Sequence, residues 1–200
     1  VADTNSTYMI RSYTGKDHQV TNVVRLRKNE NDADLAVVTF NSTESYPVVT
    51  LGDSQQATVA TEIFVFGYPG VPASRNYQKE RNFEFSPGFV TSRISNHPQG
   101  YNLRYNAVTK GGMSGGPVFD REGRVVGIHG EGDLDYDSVA DTDKKVITGS
   151  AITKTGFNSA IPINTFIAKL SETGLNRSAL LVNTSTATNA PLKLNNPQDA

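Results

Sequence analysis

Short apolar segments rich in Val, Ile, Phe and Tyr run along most of the chain, and Gly, Pro, Asn or Asp residues separate them. This spacing favours an all-β barrel or sandwich over alternating β and α units. The predicted strands are residues 8–13, 20–26, 35–40, 62–67, 88–94, 101–108, 117–119, 124–129 and 146–152.

Two local signals add detail to this all-β prediction. Residues 120–123, Asp-Arg-Glu-Gly, lie between two apolar strands and predict a tight hairpin turn with Gly123 in the left-handed conformation. Near the end of the chain, apolar residues recur at helical spacing, at Ile163, Phe166, Ile167 and Leu170. Pro162 before them and Gly174 after them are typical helix start and stop signals. We therefore expect one amphipathic helix to close the β domain.

The composition changes beyond Gly174, where Ser, Thr and Asn become frequent. Residues 183–191 carry few groups worth burying, so residues 175–200 are predicted to form a linker or tail. A further domain after this linker is compatible with the pattern.

Composition and charge exclude several classes of function. The chain has 200 residues, 36% hydrophobic and 20% charged, which is enough apolar material for a packed core. Its net charge of -1 supplies no excess of positive charge for binding a nucleic acid. The absence of cysteine excludes disulfides, a cysteine nucleophile and a thiolate metal site. No apolar run approaches the roughly 20 residues of a membrane-spanning helix, so no membrane-spanning segment is expected.

Residues 111–119, Gly-Gly-Met-Ser-Gly-Gly-Pro-Val-Phe, are the most informative segment. Glycines on both sides of Ser114 let the backbone turn sharply and bring two N–H groups toward one point. Acyl transfer needs that arrangement, because a hydroxyl attacks the carbonyl carbon and preorganised donors hold the oxyanion that forms. Taken alone, the segment also fits a glycine-rich turn that happens to contain a serine.

Three further segments accompany the serine segment. They are residues 124–130, Arg-Val-Val-Gly-Ile-His-Gly, residues 34–38, Asp-Leu-Ala-Val-Val, and residues 67–70, Gly-Tyr-Pro-Gly. Together the four segments resemble the chymotrypsin-fold serine peptidases, most closely the bacterial glutamyl-endopeptidase-like and high-temperature-requirement-like enzymes, and the resemblance covers about residues 1–172. It implies a double six-stranded Greek-key β-barrel with a C-terminal helix, protein or peptide substrates, and no cofactor or metal.

The resemblance also implies roles for individual residues. Ser114 is then the nucleophile, and the backbone N–H groups of Gly112 and Ser114 form the oxyanion hole. Asp34 orients the catalytic imidazole and stabilises its charged form, although alone it also fits a strand-capping or surface aspartate. Met113 stands where animal trypsins carry an aspartate, so activation by a new N-terminal amine is not expected.

The general base has no candidate among the three histidines of the chain. His18 lies too close to Asp34 in sequence, His97 precedes a proline in a predicted loop, and His129 belongs to the strand beside the specificity pocket. We therefore expect the catalytic histidine just upstream of Val1, so that the N-terminal barrel is incomplete and this chain alone is inactive. A true pseudoenzyme is the alternative.

The resemblance places the primary specificity pocket between the residues before the serine and the strand after the hairpin. Its walls are then Val108 and Thr109 on one side and His129 and Gly130 on the other. Thr109 and His129 match the threonine and histidine with which glutamyl endopeptidases hold a substrate carboxylate, and both side chains can donate to one. A preference for Glu follows as a hypothesis, with ordinary strand packing of both residues as the alternative.

An acidic run follows the pocket residues, at Glu131, Asp133, Asp135, Asp137, Asp141 and Asp143. Its first aspartates resemble the start of a calcium loop, but Ser138 and Lys144 stand where that loop needs glycine and a bidentate glutamate. A solvated acidic loop without metal is the prediction.

The sequence as a whole predicts a serine endopeptidase in three units. Residues 1–52 are the remaining part of an N-terminal barrel, residues 53–174 a C-terminal barrel with its helix, and residues 175–200 the linker. Bacterial members of the family usually act outside the cytoplasm, so a secreted or periplasmic location is expected. The rival is an inactive homologue that binds peptides or acts as a scaffold for a following domain.

Overall fold

A computed structural model describes residues 7–70, 81–136 and 152–186. In these ranges strands predominate, and one short α-helix and two 3₁₀-helices follow the last strand. The strands are β1 (Met9–Arg11), β2 (Asp17–Arg25), β3 (Ala36–Phe40), β4 (Thr50–Leu51), β5 (Glu62–Gly67), β6 (Glu84–Arg93), β7 (Leu103–Asn106), β8 (Pro117–Phe119), β9 (Arg124–Tyr136) and β10 (Ile152–Pro162). The helices are α1 (Ile163–Ala168) and the 3₁₀ turns Leu170–Thr173 and Arg177–Ala179.

Six strands close into a barrel, in the order β5, β6, β7, β10, β9, β8 and back to β5. Every pair in this ring is antiparallel, and β4 adds to β9 in parallel. The interior is filled by side chains that are almost fully buried, among them Ile63, Val65, Val90, Leu103, Tyr105, Val118 and Val126. A closed six-stranded barrel with a helix after its last strand confirms the predicted chymotrypsin-like fold class.

The N-terminal region forms a three-stranded antiparallel sheet in the order β1, β2, β3. In the connection between β2 and β3, the buried side chains Leu26, Ala33 and Leu35 pack with Tyr101 and Ile161 of the barrel region. In the described part of the chain this sheet stands where the sequence predicts an incomplete first barrel.

Predicted and observed elements agree best where the apolar pattern is regular. The strands predicted at 62–67 and 117–119 have the observed bounds of β5 and β8. Gly123 adopts a φ of 71° in the hairpin turn, as expected for that left-handed position. The strand predicted at 146–152 lies outside the described residues except for Ile152, at which β10 begins.

Most of β10 escapes sequence prediction for a physical reason. Two register shifts interrupt its pairing with β9, and Gly156 within it has a φ of 88°. Such irregularities place an extra residue in one strand and break the alternation of buried and exposed positions. The polar residues of β10 therefore carry no recognisable strand pattern.

The C-terminal helix is confirmed, and Gly174 ends the turn after it with a φ of 76°. Beyond it, the described part of the predicted linker lies against the barrel. Leu51 donates its backbone N–H to the carbonyl of Leu181 at 2.8 Å, and its own carbonyl accepts from the N–H of Asn183 at 2.8 Å. The buried Arg124 side chain reaches the carbonyl of Ser185 at 2.5 Å. The domain boundaries expected from sequence stay predictions.

Candidate active site

The serine turn connects β7 to β8 and is shaped by glycine. Gly112 and Gly115 have φ values of 96° and 90°, a region that side chains other than glycine rarely adopt. Between them, the Met113 side chain is buried in the barrel core and Ser114 is exposed. The buried methionine therefore anchors a turn that presents the serine hydroxyl to solvent.

Two amides of this turn are available as donors. The N–H groups of Met113, Gly115 and Gly116 donate to the backbone carbonyls of Lys110, His129 and Met113. Within the described ranges, the N–H groups of Gly112 and Ser114 make no hydrogen bond. These are the two amides that the family resemblance assigns to an oxyanion hole.

The turn after β5 sets the direction of the Gly112 amide. The N–H of Gly70 donates to the carbonyl of Gly111 at 2.7 Å. The C=O and N–H of a trans peptide point in opposite directions, so this bond turns the Gly112 N–H away from Gly70. A Cβ on Gly112 would lie 2.7 Å from the Gly70 nitrogen, so only glycine allows the two turns to approach.

A continuous path of contacts links Ser114 to Asp34. The Ser114 hydroxyl donates to the carbonyl of Gly130 at 3.1 Å. A Cβ on Gly130 would lie 2.5 Å from the hydroxyl oxygen of Tyr101, which occupies that space. The Tyr101 hydroxyl in turn donates to Asp34 Oδ2 at 2.9 Å. The fold thus brings the two predicted catalytic side chains into one region through Gly130 and Tyr101.

Asp34 sits at the seam between the N-terminal sheet and the barrel. Its backbone N–H donates to the carbonyl of Gln99 at 3.0 Å, and an Arg27 guanidinium nitrogen lies 3.7 Å from Oδ1. Its side chain is 18% exposed. Burial, followed by the bond to Asp34, raises the pKa of Tyr101 above its usual range, so the phenol stays protonated and donates.

The three histidines occupy other positions. His18 Nε2 pairs with the Tyr46 hydroxyl at 2.9 Å in the N-terminal region, and His97 Nε2 lies 3.5 Å from a Glu131 carboxylate oxygen. His129 Nδ1 pairs with the Tyr105 hydroxyl at 2.7 Å inside the barrel. In the part of the chain that the structure describes, no imidazole bonds to Ser114.

The predicted pocket residues differ in their surroundings. Val108 is 74% exposed and, with Thr109, borders a cleft of about 450 Å³. Thr109 is buried, and its hydroxyl donates to Asn158 Oδ1. The Asn158 amide nitrogen donates to the carbonyl of Ala107 at 2.6 Å, which fixes its orientation.

Lys154 also borders this cleft, and sequence reasoning missed it together with Asn158. Its amino group donates to the carbonyl of Thr109 at 3.2 Å. A Cβ on Gly132, two residues after Gly130, would lie 3.7 Å from Lys154 Nζ and 3.5 Å from Asn158 Oδ1. Both side chains therefore reach from β10 into the space between Thr109 and the segment of β9 that follows Gly130.

His129 is neutral at neutral pH. It is only 3% exposed. Burial, and next the positive charge of Lys154, lower its pKa from 6.5 to about 4, although a hydrogen bond with the Ser159 backbone acts in the opposite direction. When Tyr105 donates to Nδ1, the one proton of the neutral ring is on Nε2.

A second, larger groove of about 640 Å³ runs beside Gly112 and Ser114. Its walls are mainly aromatic, from Phe64, Phe66, Tyr68, Phe83 and Phe119. Of the acidic run, Glu131, Asp133 and Asp135 lie on β9, while Asp137, Ser138, Asp141, Asp143 and Lys144 lie outside the described residues.

The described residues offer neither a metal-binding cluster nor a membrane-spanning helix. No group of three or more His, Cys, Asp or Glu side chains in these ranges is arranged to hold a metal ion. The helices that the structure describes lack the length and apolar character needed to cross a membrane.

Residues 2–128 match the trypsin-like peptidase domain. The chain belongs to the trypsin-like peptidase family. A glutamyl endopeptidase of Staphylococcus aureus (strain MW2) is 29% identical over 113 residues, which are 52% of this chain and 31% of that protein. The glutamyl endopeptidase of strain MSSA476 has the same identity, with 30% of its length covered. The chain thus matches about a third of the length of these bacterial relatives.

A solved structure of similar shape is the HtrA-type protease AlgW with decapeptide. The TM-score is 0.58 at 19% identity, over 83% of this chain and 44% of that one. At this identity the likeness supports the fold alone. The family match is thus accompanied by similarity to bacterial glutamyl endopeptidases in sequence and to an HtrA-type protease in fold.

Proposed function

We propose that this protein is a serine endopeptidase that hydrolyses peptide bonds through an acyl-enzyme on Ser114. The observation that supports it most directly is an exposed serine on a turn shaped by glycine. In the described ranges, the Gly112 and Ser114 amides of this turn make no hydrogen bond. A hydroxyl beside two preorganised donors is the arrangement that attack on a peptide carbonyl requires.

In the first step, Ser114 Oγ attacks the peptide carbonyl, and the Gly112 and Ser114 amides hold the oxygen that becomes negative. The serine proton passes to a histidine, which then protonates the leaving amine. Water hydrolyses the resulting ester by the reverse proton path. No described imidazole stands at Ser114, so the proposal requires a histidine from outside the described residues.

Asp34 has the role of accepting a hydrogen bond from that histidine and stabilising its charged form. Its carboxylate already accepts from Tyr101 at 2.9 Å, which holds one oxygen in place. The Asp34 contacts to Gln99 and Tyr101 keep the carboxylate against the barrel that carries Ser114.

Peptide cleavage by the full-length protein tests this proposal. We expect Ser114→Ala to remove nearly all turnover, because the nucleophile is lost. The matched control is Ser95→Ala, which removes another exposed serine hydroxyl and should leave turnover unchanged. A Ser114→Ala protein that cleaves peptides like the wild type would contradict the proposal and favour a binding or scaffold role.

The proposal includes a preference for Glu before the scissile bond. It is supported by Thr109, which borders the cleft of about 450 Å³, and by the similarity to glutamyl endopeptidases, whose carboxylate-binding threonine and histidine Thr109 and His129 match. Matched peptides with Glu, Asp, Gln, Phe, Val or Lys at that position would test it. Equal or faster cleavage after Val or Phe would reject a Glu preference.

The location and context of the enzyme belong to the same proposal. Proteins or peptides are its substrates, and it acts outside the cytoplasm. A further domain after residue 200 is an expectation from the linker-like composition of residues 175–200.

A further inference from the structure

A pocket that selects a carboxylate needs hydrogen-bond donors or a positive charge. Thr109 and His129 supply less of these than their residue types suggest. The single hydroxyl proton of Thr109 is engaged with Asn158 Oδ1. His129 carries no charge at neutral pH, because burial and Lys154 hold its pKa at about 4. The positive charge of the pocket must then come from another residue.

Lys154 has the position for that task. Its ammonium lies 3.2 Å from the Thr109 carbonyl and 3.7 Å from the Cβ position of Gly132 on β9. Gly132 lies two residues after Gly130, whose carbonyl accepts from Ser114. The charge therefore lies between Thr109 and the segment of β9 that follows Gly130.

The Lys154 ammonium is also available to a ligand. Lys110 pairs with Glu84 at 3.5 Å and Arg104 pairs with Asp133, so these two neighbouring cations are already neutralised. Within the described ranges, Lys154 forms no ion pair. Of its three N–H donors, one bonds to Thr109, and no other described residue accepts from the remaining two, which can bind a substrate carboxylate.

We propose that Lys154 is the specificity-determining residue of the primary pocket, where its ammonium binds the carboxylate of a substrate Glu side chain. This inference rests on the proposed function, since it names the group by which that same site selects its substrate. Asn158 holds the Thr109 hydroxyl, and Gly132 leaves the space through which the substrate side chain reaches Lys154.

The first test compares Glu and Gln, which have the same size and differ in charge, at the position before the scissile bond in full-length protein. We expect Lys154→Gln to lower kcat/KM for the Glu peptide about 10-fold and to change the Gln peptide less than about threefold. Lys154→Arg should keep most of the preference, because the charge remains. The matched control is Lys110→Gln, which removes a neighbouring charge already paired with Glu84.

A second test measures binding without cleavage. In a Ser114→Ala protein, the Kd values of intact Glu and Gln peptides should differ about 10-fold, and adding Lys154→Gln should remove the difference. This readout separates the two proposals. If Ser114 is unreactive and the Lys154-dependent difference persists, the enzyme proposal fails and Lys154 is still the selecting residue.

Two outcomes would overturn the role of Lys154. One is an unchanged ratio of Glu to Gln cleavage, and of Glu to Gln binding, in Lys154→Gln. The other is an equal loss for both peptides, which would show that the lysine only maintains the shape of the pocket. In either case a reactive Ser114 would leave the endopeptidase proposal intact.

Discussion

The barrel and the N-terminal sheet contribute to the site in different ways. The barrel is a closed ring of six strands with many fully buried side chains, and it carries Ser114 with its two amides. The sheet has three strands and contributes Asp34, which lies at its contact with the barrel. Ser114 is therefore held by the closed barrel core, whereas Asp34 lies where the three-stranded sheet contacts the barrel.

The largest expected effect is on the stability of the barrel. Leu103 is fully buried, so we expect Leu103→Ala to lower the free energy of unfolding by about 2–5 kcal/mol. Val38 in the sheet is 42% exposed, and Val38→Ala should change it by less than about 1 kcal/mol. Denaturant unfolding measures both, and equal effects would contradict the contrast between the buried barrel core and the exposed face of the three-stranded sheet.

The pH dependence of barrel stability is the next effect. The pKa of His129 is about 4 in the folded state and 6.5 in the unfolded state, so its protonation favours unfolding. The free energy of unfolding is therefore unaffected by protonation of His129 above pH 6.5 and decreases as the pH falls from 6.5 toward 4. At pH 5 the expected loss is about 2 kcal/mol relative to pH 7.5.

A His129→Gln protein provides the comparison for that measurement. The imidazole is hydrogen-bonded to the Tyr105 hydroxyl and to the Ser159 backbone, and it feels the positive charge of Lys154. The substitution therefore also lowers the free energy of unfolding at pH 7.5. The slope of unfolding free energy between pH 7.5 and 5 should nevertheless be shallower than in the wild type. Parallel slopes would show that His129 is not the titrating group.

A smaller effect is expected at the seam itself. Tyr101→Phe removes the hydroxyl that donates to Asp34 and should lower stability by about 1 kcal/mol. If the bond positions Asp34 for catalysis, kcat should fall about 10-fold while KM stays within about twofold. A stability loss with unchanged kcat would limit Tyr101 to a structural role.

Sequence patterns predicted the barrel where a short apolar segment is bounded by turn-forming residues. Residues 62–67 and 117–119 became β5 and β8 without change, and both strands are buried or half-buried along their whole length. The serine turn was also predictable, since its glycines occupy backbone conformations and close approaches that other residues would not allow.

Other site residues could not be found this way. Tyr101 reaches Asp34 across 67 positions of the chain, and no periodicity marks a tyrosine as the donor to a distant carboxylate. Lys154 and Asn158 line the cleft beside Thr109 because β10 pairs with β7 and β9, the latter through an irregular register. Their positions depend on strand pairing between distant segments, which local patterns do not encode.

The most direct test of the central claim is fluorophosphonate labelling of the full-length protein, read by peptide mass spectrometry. The account predicts one adduct, on Ser114, and none in Ser114→Ala. Asp34→Asn should slow the labelling at least about 10-fold, because the carboxylate that supports the base is lost. An unmodified Ser114 in folded protein would contradict the account.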